Sequence, residues 1–127
     1  MTQTNSVADT TIDTYTDGLV GDWLTLNEVA DRLGTDPKRA KQLIRDHKLL
    51  AVHRTGGLRM PAAFIHEGQV LKGLSGTLTV LADAGYDDVA ALRWLFTADD
   101  TLPGTPVQAL SDNRGTEVRR RAQALAF

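Results

Sequence analysis

The chain has 127 residues, of which 42% are hydrophobic and 24% charged, and its formal net charge is −2. This composition is typical of one compact globular domain or two small packed modules. The absence of cysteine excludes disulfides, thiolate metal ligands and thiol nucleophiles. Because no apolar run approaches the roughly 20 residues of a membrane-spanning helix and no signal-peptide pattern is visible, we expect a cytoplasmic protein.

Residues 1–22 are rich in Thr and Asp and contain few apolar side chains. Such a segment buries little surface, so we expect a disordered, acidic, Thr-rich tail. Four aspartates and no basic residue give residues 1–24 a charge of −4. A flexible segment of this kind is accessible to a Ser/Thr protein kinase, and the candidate phosphorylation sites are Thr10, Thr11 and Thr14. A phosphate there adds about −1.5 to −2 charges, and we expect the acidic tail to compete with a bound polyanion for basic side chains of the chain.

Two short helices are predicted next. Thr25 and Glu28 form a capping box, and Leu26, Val29, Ala30 and Leu33 follow the spacing of a helix with one buried face, which ends at Gly34. Asp36 and Pro37 begin a second helix, whose buried face consists of Ala40, Leu43 and Ile44. Two short helices joined by a Gly-containing turn predict a helix-turn-helix.

A β-hairpin is predicted directly after the second helix. Thr55-Gly56-Gly57 provides a turn, and Leu50, Val52, Leu58 and Met60 are expected to share one face, with Pro61 as the end. A helix-turn-helix followed by such a hairpin, or wing, is the layout of a winged helix-turn-helix. We therefore place this DNA-binding module at residues 23–61.

The rest of the chain, residues 62–127, is predicted to be a helical module packed on the first. Its helices are indicated by the periodic apolar residues before Gly85, by the caps Asp87 and Thr105, and by Thr116, which is expected to cap the last helix. The predicted fold class is mainly α with one small β-hairpin: a winged helix-turn-helix followed by a small helical bundle.

The basic charge is concentrated in the predicted winged module. Residues 25–61 carry eight basic and four acidic side chains, a net charge of +4, whereas residues 62–127 carry −2. Long cationic side chains and amides are the groups that base edges and phosphates accept. The candidate DNA-binding residues are therefore Thr35, Lys38, Arg39, Lys41, Gln42 and Arg45 on the turn and second helix, and His53, Arg54, Thr55 and Arg59 on the wing.

The segment from Leu24 to Arg39, together with Leu43–Leu49 and the Arg54–Met60 hairpin, resembles the DNA-binding domains of MerR and excisionase-type proteins. The whole chain, including Trp94–Thr97 and Arg119–Leu125, also resembles a small actinobacterial family of winged-helix regulatory DNA-binding proteins. The resemblance implies a DNA-binding winged helix, double-stranded DNA as the partner, a role in transcription regulation, and a family-specific helical C-terminal region. Unlike MerR proteins, this sequence shows no sustained heptad pattern for a coiled-coil helix.

The C-terminal half suggests an alternative function. Trp94-Leu95-Phe96 and Leu102–Pro106 are similar to the toxin-binding helices of some bacterial antitoxins, which implies a protein-interaction adaptor with a protein partner. An excisionase-like factor that bends DNA is a third possibility. An enzyme is not expected, because His47, His53 and His66 lack the spacing of a metal-binding helix and no phosphate loop or nucleophile motif occurs. No metal or cofactor is expected.

Overall fold

The structure, a computed structural model, describes residues 11–126. Its N-terminal part contains, in chain order, α1 (Thr14–Val20), β1 (Trp23–Leu24), α2 (Leu26–Leu33), α3 (Pro37–Arg45), β2 (Val52–Arg54) and β3 (Gly57–Pro61). A 3₁₀ turn (Ala62–Phe64) then leads to β4 (Ile65–His66), β5 (Gln69–Val70), α4 (Leu74–Asp83), α5 (Asp88–Leu95), α6 (Pro106–Ser111) and α7 (Gly115–Ala124). The predicted fold class is confirmed, with a second small hairpin in addition.

Both helices of the predicted helix-turn-helix begin where the sequence indicates, and α2 also ends where it does. The Thr25 hydroxyl accepts a hydrogen bond from the Glu28 amide at 3.1 Å, and the Glu28 carboxylate accepts one from the Thr25 amide at 2.8 Å. Gly34 has φ +69°, the left-handed conformation that commonly ends a helix. Asp36 caps α3 by accepting from the Arg39 amide at 2.9 Å, so α2 and α3 are separated by only a short turn.

The wing belongs to a three-stranded antiparallel sheet in the order β1-β3-β2. Arg54 pairs with Gly57, which closes a turn of two residues and places Val52 opposite Arg59. Directly opposite residues of an antiparallel pair share a face, so Val52 and Leu58 lie on opposite faces. The predicted common face of Leu50, Val52, Leu58 and Met60 is therefore wrong, because a turn one residue shorter shifts every side chain to the other face.

The structure differs from the predicted disordered tail at α1. Asp13 caps this seven-residue helix by accepting from the Thr16 amide at 3.1 Å, and Gly21 ends it with φ +78°. Thr16 is fully buried, and its hydroxyl accepts a hydrogen bond from the Arg93 side chain on α5 at 3.1 Å. The composition did not indicate α1, because tertiary polar contacts rather than an apolar face stabilise this helix. The remaining part of the predicted tail, residues 1–10, lies outside the described residues.

The segment after Pro61 was predicted to be helical throughout, and this prediction is wrong for residues 65–70. There β4 and β5 form a second hairpin, in which Ile65 pairs with Val70 and His66 with Gln69. Glu67 and Gly68 both have positive φ, +53° and +77°, which is the backbone conformation of a type I′ hairpin turn. The two short strands carry too few residues to show an alternating pattern in the sequence.

Helices α4 to α7 follow in the rest of the described residues. Asp87 caps α5 and Thr105 caps α6, as predicted, with Gln108 completing a second capping box. The predicted cap at Thr116 is wrong, since α7 already begins at Gly115. Gly115 lies against Gly73 at the start of α4, where an added Cβ on Gly73 would be 3.4 Å from the Gly115 Cα. This close approach fixes the start of α7 by packing and not by a side-chain cap.

One continuous cluster of buried apolar side chains extends through both parts of the chain. It contains Leu24, Val29 and Leu43 of the first part together with Leu92, Leu110 and Val118 of the second. Phe64 is fully buried, and its ring centroid lies 6.1 Å from that of Phe96. The proposed division of the chain at residues 61 and 62 stays a prediction, and the two parts share their core.

Candidate nucleic-acid interface

The exposed face of α3 is cationic. Ala40 and Leu43 bury the opposite face of the helix, and the sequence of α3 contains no acidic residue. Four predicted DNA-binding side chains are exposed on it: Lys38, Arg39, Lys41 and Arg45. Within residues 11–126, none of these four cations takes part in an ion pair. Their charges are therefore available to an external polyanion.

Gln42 and Arg45 are linked at the C-terminal end of α3. The Gln42 side-chain oxygen accepts a hydrogen bond from Arg45 Nη2 at 2.8 Å, and its nitrogen donates to Asp46 Oδ1 at 3.0 Å. Gln42 is thus less exposed than the cations on either side of it. The contact holds the Arg45 guanidinium in one orientation and leaves its other N–H groups for a ligand.

Thr35 lies in the turn between α2 and α3, at the N-terminal end of the cationic face. Its amide donates to the Ala30 carbonyl at 2.9 Å, as part of the motif that ends α2. The backbone N–H of Thr35 is therefore already used. The residue itself is exposed, so its hydroxyl is the group that could contact a phosphate.

The tip of the wing combines Thr55, two glycines and Arg59. Thr55 is exposed, and Gly56 has φ +95°. The Arg59 guanidinium bends back over the turn, where Nη1 donates to the Leu58 carbonyl at 2.9 Å. A Cβ on Gly56 would be only 3.0 Å from Arg59 Nη2, and one on Gly57 3.3 Å from Nη1. The glycines thus leave room for a cation at the wing tip.

The other two wing residues are engaged with the N-terminal segment. The Ile12 amide donates to the His53 carbonyl at 3.2 Å, and Thr11 forms a bridge with His53, so residues 11 and 12 cover the outer edge of β2. Arg54 donates two hydrogen bonds to Asp17 of α1, from Nε at 2.6 Å and from Nη2 at 3.0 Å. Its guanidinium also lies 4.8 Å from the ring centroid of Trp23.

The structure therefore separates the lysines and arginines of the predicted site into two groups. Within residues 11–126, the cations of α3 and Arg59 at the wing tip form no ion pair, whereas Arg54 is paired with a carboxylate. Sequence reasoning missed Asp17 and Trp23, the two residues that hold Arg54. Asp13 and Gly21 are residue types that favour the two ends of a helix, and they are the local signals for α1, although they do not indicate its contact with the wing.

Two further properties bear on the class of site. Among residues 11–126, no helix is long and apolar enough to cross a membrane. In the same part of the chain, no group of three or more His, Asp or Glu side chains is arranged to hold a metal ion.

Comparisons with known proteins match residues 11–65 and 71–126 and agree with one another. A family described as the wHTH domain of the DNA-binding protein Rv2175c matches residues 11–65, and a second, the Rv2175c C-terminal domain of unknown function, matches residues 71–126. The DNA-binding protein Rv2175c of Mycobacterium tuberculosis is 42% identical, over 80% of this chain and 79% of that protein. The NMR structure of Rv2175c superimposes with a TM-score of 0.76 at 39% identity, covering 84% of this chain and 82% of that one. The chain belongs to the Rv2175c family of winged helix-turn-helix DNA-binding proteins.

Proposed function

We propose that this chain binds duplex DNA with α3 in the major groove and the wing tip on the flanking backbone. The observation that carries the proposal is the set of four exposed cations on α3, which form no ion pair within residues 11–126 and lie opposite a face buried by Ala40 and Leu43. The major groove is about 12 Å wide and admits an α-helix. The name of the mycobacterial relative, a DNA-binding protein, supports the same function.

The side chains of α3 differ in what they offer to DNA. Arg45, held by Gln42, presents the forked donor geometry that matches the two acceptors of guanine. Lys38 and Arg39 lie in the first turn of α3, where contacts to phosphates would fix the position of the helix on the duplex. In this proposal Arg45 contributes to sequence preference, and the lysines and Arg39 contribute mainly to affinity.

A salt series with a short duplex tests the proposal. We expect log affinity to fall linearly with log salt concentration. The single variants Lys38→Ala and Arg39→Ala should each make that slope shallower by about one unit per lost phosphate contact. Arg120→Ala on α7 is the matched control, because it removes one exposed cation outside α3. Salt-independent or absent binding would contradict the proposal and favour the protein-interaction adaptor.

Sequence-preferring binding would make the protein a transcription regulator that acts without catalysis, in the cytoplasm where bacterial DNA lies. Genome-wide recovery of DNA bound to the protein tests this finer proposal. Enrichment of fragments that share one short sequence near promoters is the expected result. Even coverage of the genome would indicate an architectural protein instead, and so would strong bending of the bound duplex.

A Ser/Thr protein kinase is proposed as a second partner. Thr11 and Thr14 are exposed, and Thr11 bridges to His53 at the edge of the wing, while Thr10 lies outside the described residues. A phosphate here adds negative charge beside β2, so DNA affinity should fall after phosphorylation. Kinase treatment of wild-type protein and of Thr→Ala variants at these three positions tests this, and unchanged affinity of the phosphorylated wild type would contradict it.

A further inference from the structure

The contact between α1 and the wing points to a second control of DNA affinity. We propose that Asp17 competes with DNA phosphate for Arg54, and thereby sets the affinity and the salt dependence of binding. This inference rests on the proposed function. It concerns a carboxylate fixed within the fold, and it is independent of any modification of residues 1–10.

Arg54 is placed where a phosphate contact would otherwise be expected. It is the last residue of β2 and directly precedes Thr55 at the wing tip. Its guanidinium presents Nε and Nη2 to the two carboxylate oxygens of Asp17. Arginine presents the same pair of donors to two oxygens of a phosphate. Asp17 therefore occupies the donor edge that a DNA backbone would use.

Trp23 keeps the guanidinium at this position. The ring lies beneath Arg54, with 4.8 Å between the guanidinium carbon and the ring centroid. The side chains of both Arg54 and Asp17 are 30% exposed, so solvent and a ligand reach the pair. An exchange of partners thus requires only that Arg54 release Asp17, while the stacking on Trp23 is retained.

Asp17 is held in place by contacts on the other side of α1. Arg93 of α5 donates to Thr16 at 3.1 Å and to Asp13 at 3.2 Å. The Ile12 amide donates to His53, which ties the start of the same segment to β2. The carboxylate is therefore an intramolecular competitor at high effective concentration, unlike a charge on a flexible chain.

Removal of this single charge gives a measurable change. Partly exposed ion pairs are weak, so a gain in affinity of about two- to fivefold at low salt is expected for Asp17→Asn. If Arg54 then contacts one phosphate, the salt slope becomes steeper by about 0.9. Arg54→Ala should reduce the affinity of the wild type less than it reduces that of Asp17→Asn, because in the wild type Asp17 offsets the charge of Arg54.

The experiment compares four variants in duplex binding over about 50 to 200 mM salt: Asp17→Asn, Arg54→Ala, the double variant, and Asp13→Asn. Asp13→Asn is the matched control because it removes one negative charge from the same segment, and Asn caps a helix as well as Asp does. Asp13 contacts Arg93 and not Arg54. Thermal unfolding confirms that each variant folds, and the Arg54 Nε–H resonance of the wild type reports directly on the exchange of partners.

The proposal is supported if Asp17→Asn binds more tightly with a steeper slope than Asp13→Asn, and if Arg54→Ala abolishes that gain. It is overturned if both asparagine variants bind alike, or if Asp17→Asn weakens binding, which would mean that Asp17 orients Arg54 for DNA. It is equally overturned if the wild-type Arg54 Nε–H resonance does not respond to duplex. Lys38→Ala separates the two levels of inference: if it weakens binding while the Asp17 result is negative, the proposed function stands and this inference alone fails.

Discussion

Helix α3 carries four lysines and arginines and the wing carries two arginines, and the two elements hold them in different ways. On α3, four cations are exposed and have no acidic partner within the part of the chain that the structure describes. On the wing, Arg54 is bonded to Asp17, and Arg59 lies folded over the turn. The number of basic residues therefore overestimates the charge available to DNA, because the contact with Asp17 neutralises Arg54.

The largest expected effect comes from α3. Arg45→Ala should weaken binding to a preferred duplex by roughly 1–3 kcal/mol if the guanidinium contacts a base edge. The measurement is duplex affinity by fluorescence anisotropy, with Gln42→Ala as a companion that removes the group holding Arg45. If Arg45→Ala folds and binds with the affinity of the wild type, α3 and the wing do not differ in DNA binding as expected.

A smaller effect is expected within the wing. Arg59→Ala should flatten the plot of log affinity against log salt by up to about one unit, whereas Arg54→Ala should leave it nearly unchanged because Asp17 already neutralises that charge. Both variants lose one arginine, so each serves as the control for the other. Equal slopes for the two variants would show that the ion pair with Asp17 does not distinguish the wing arginines.

The wing tip allows a test through the backbone. Gly56→Ala introduces a Cβ at φ +95°, 3.0 Å from Arg59 Nη2. We expect a loss of stability of about 1–3 kcal/mol from the strained backbone, together with a salt slope that resembles that of Arg59→Ala because the guanidinium is displaced. Thermal unfolding and the salt series measure the two effects separately. A stable variant with an unchanged slope would contradict the described position of Arg59.

The smallest effect concerns α2, the helix that supports α3. The hydrogen bond from the Thr25 amide, together with the nearby charges of Arg32 and Arg59, holds the pKa of Glu28 below its ordinary value of 4.5. A lowered pKa in the folded state stabilises the fold above pH 4.5, and this stabilisation is lost as the pH falls through the folded-state pKa. The melting temperature of the wild type should therefore fall more between pH 6 and pH 3 than that of Glu28→Gln.

Gln is the suitable replacement because it retains the capping box. Parallel pH profiles of the two proteins would mean that the Glu28 charge makes no contribution to stability. The DNA salt slope of Glu28→Gln, measured at neutral pH, checks whether this carboxylate also reduces the charge of the neighbouring Arg59.

The helix-turn-helix could be predicted from the sequence because residues close together in the chain determine where its helices begin and end. Thr25, Glu28, Gly34, Asp36 and Pro37 each act within one turn of the chain, and each is found in its predicted role. The cations of α3 were identified for the same reason, since helical spacing alone separates them from Ala40 and Leu43. Their assignment to DNA contacts stays a prediction.

Two of the errors lie where distant residues decide the structure. Helix α1 depends on Arg93, which is 77 positions away from Thr16. The pairing of Asp17 with Arg54 joins residues 37 positions apart. None of these contacts leaves a periodic or local pattern, so reasoning from composition treated α1 as a tail and Arg54 as a free cation.

The position of α1 matters for how this protein can be shortened. Deletion of residues 1–21, which composition alone would suggest as a harmless trim, removes Asp13, Thr16 and Asp17 together. The cut would leave Arg54 and Arg93 without their carboxylates and would uncover the outer edge of β2, an unpaired strand edge prone to association. Such a truncated protein would bind DNA differently for reasons unrelated to residues 1–10, whereas a chain starting at Thr11 keeps α1 and isolates the effect of the first ten residues.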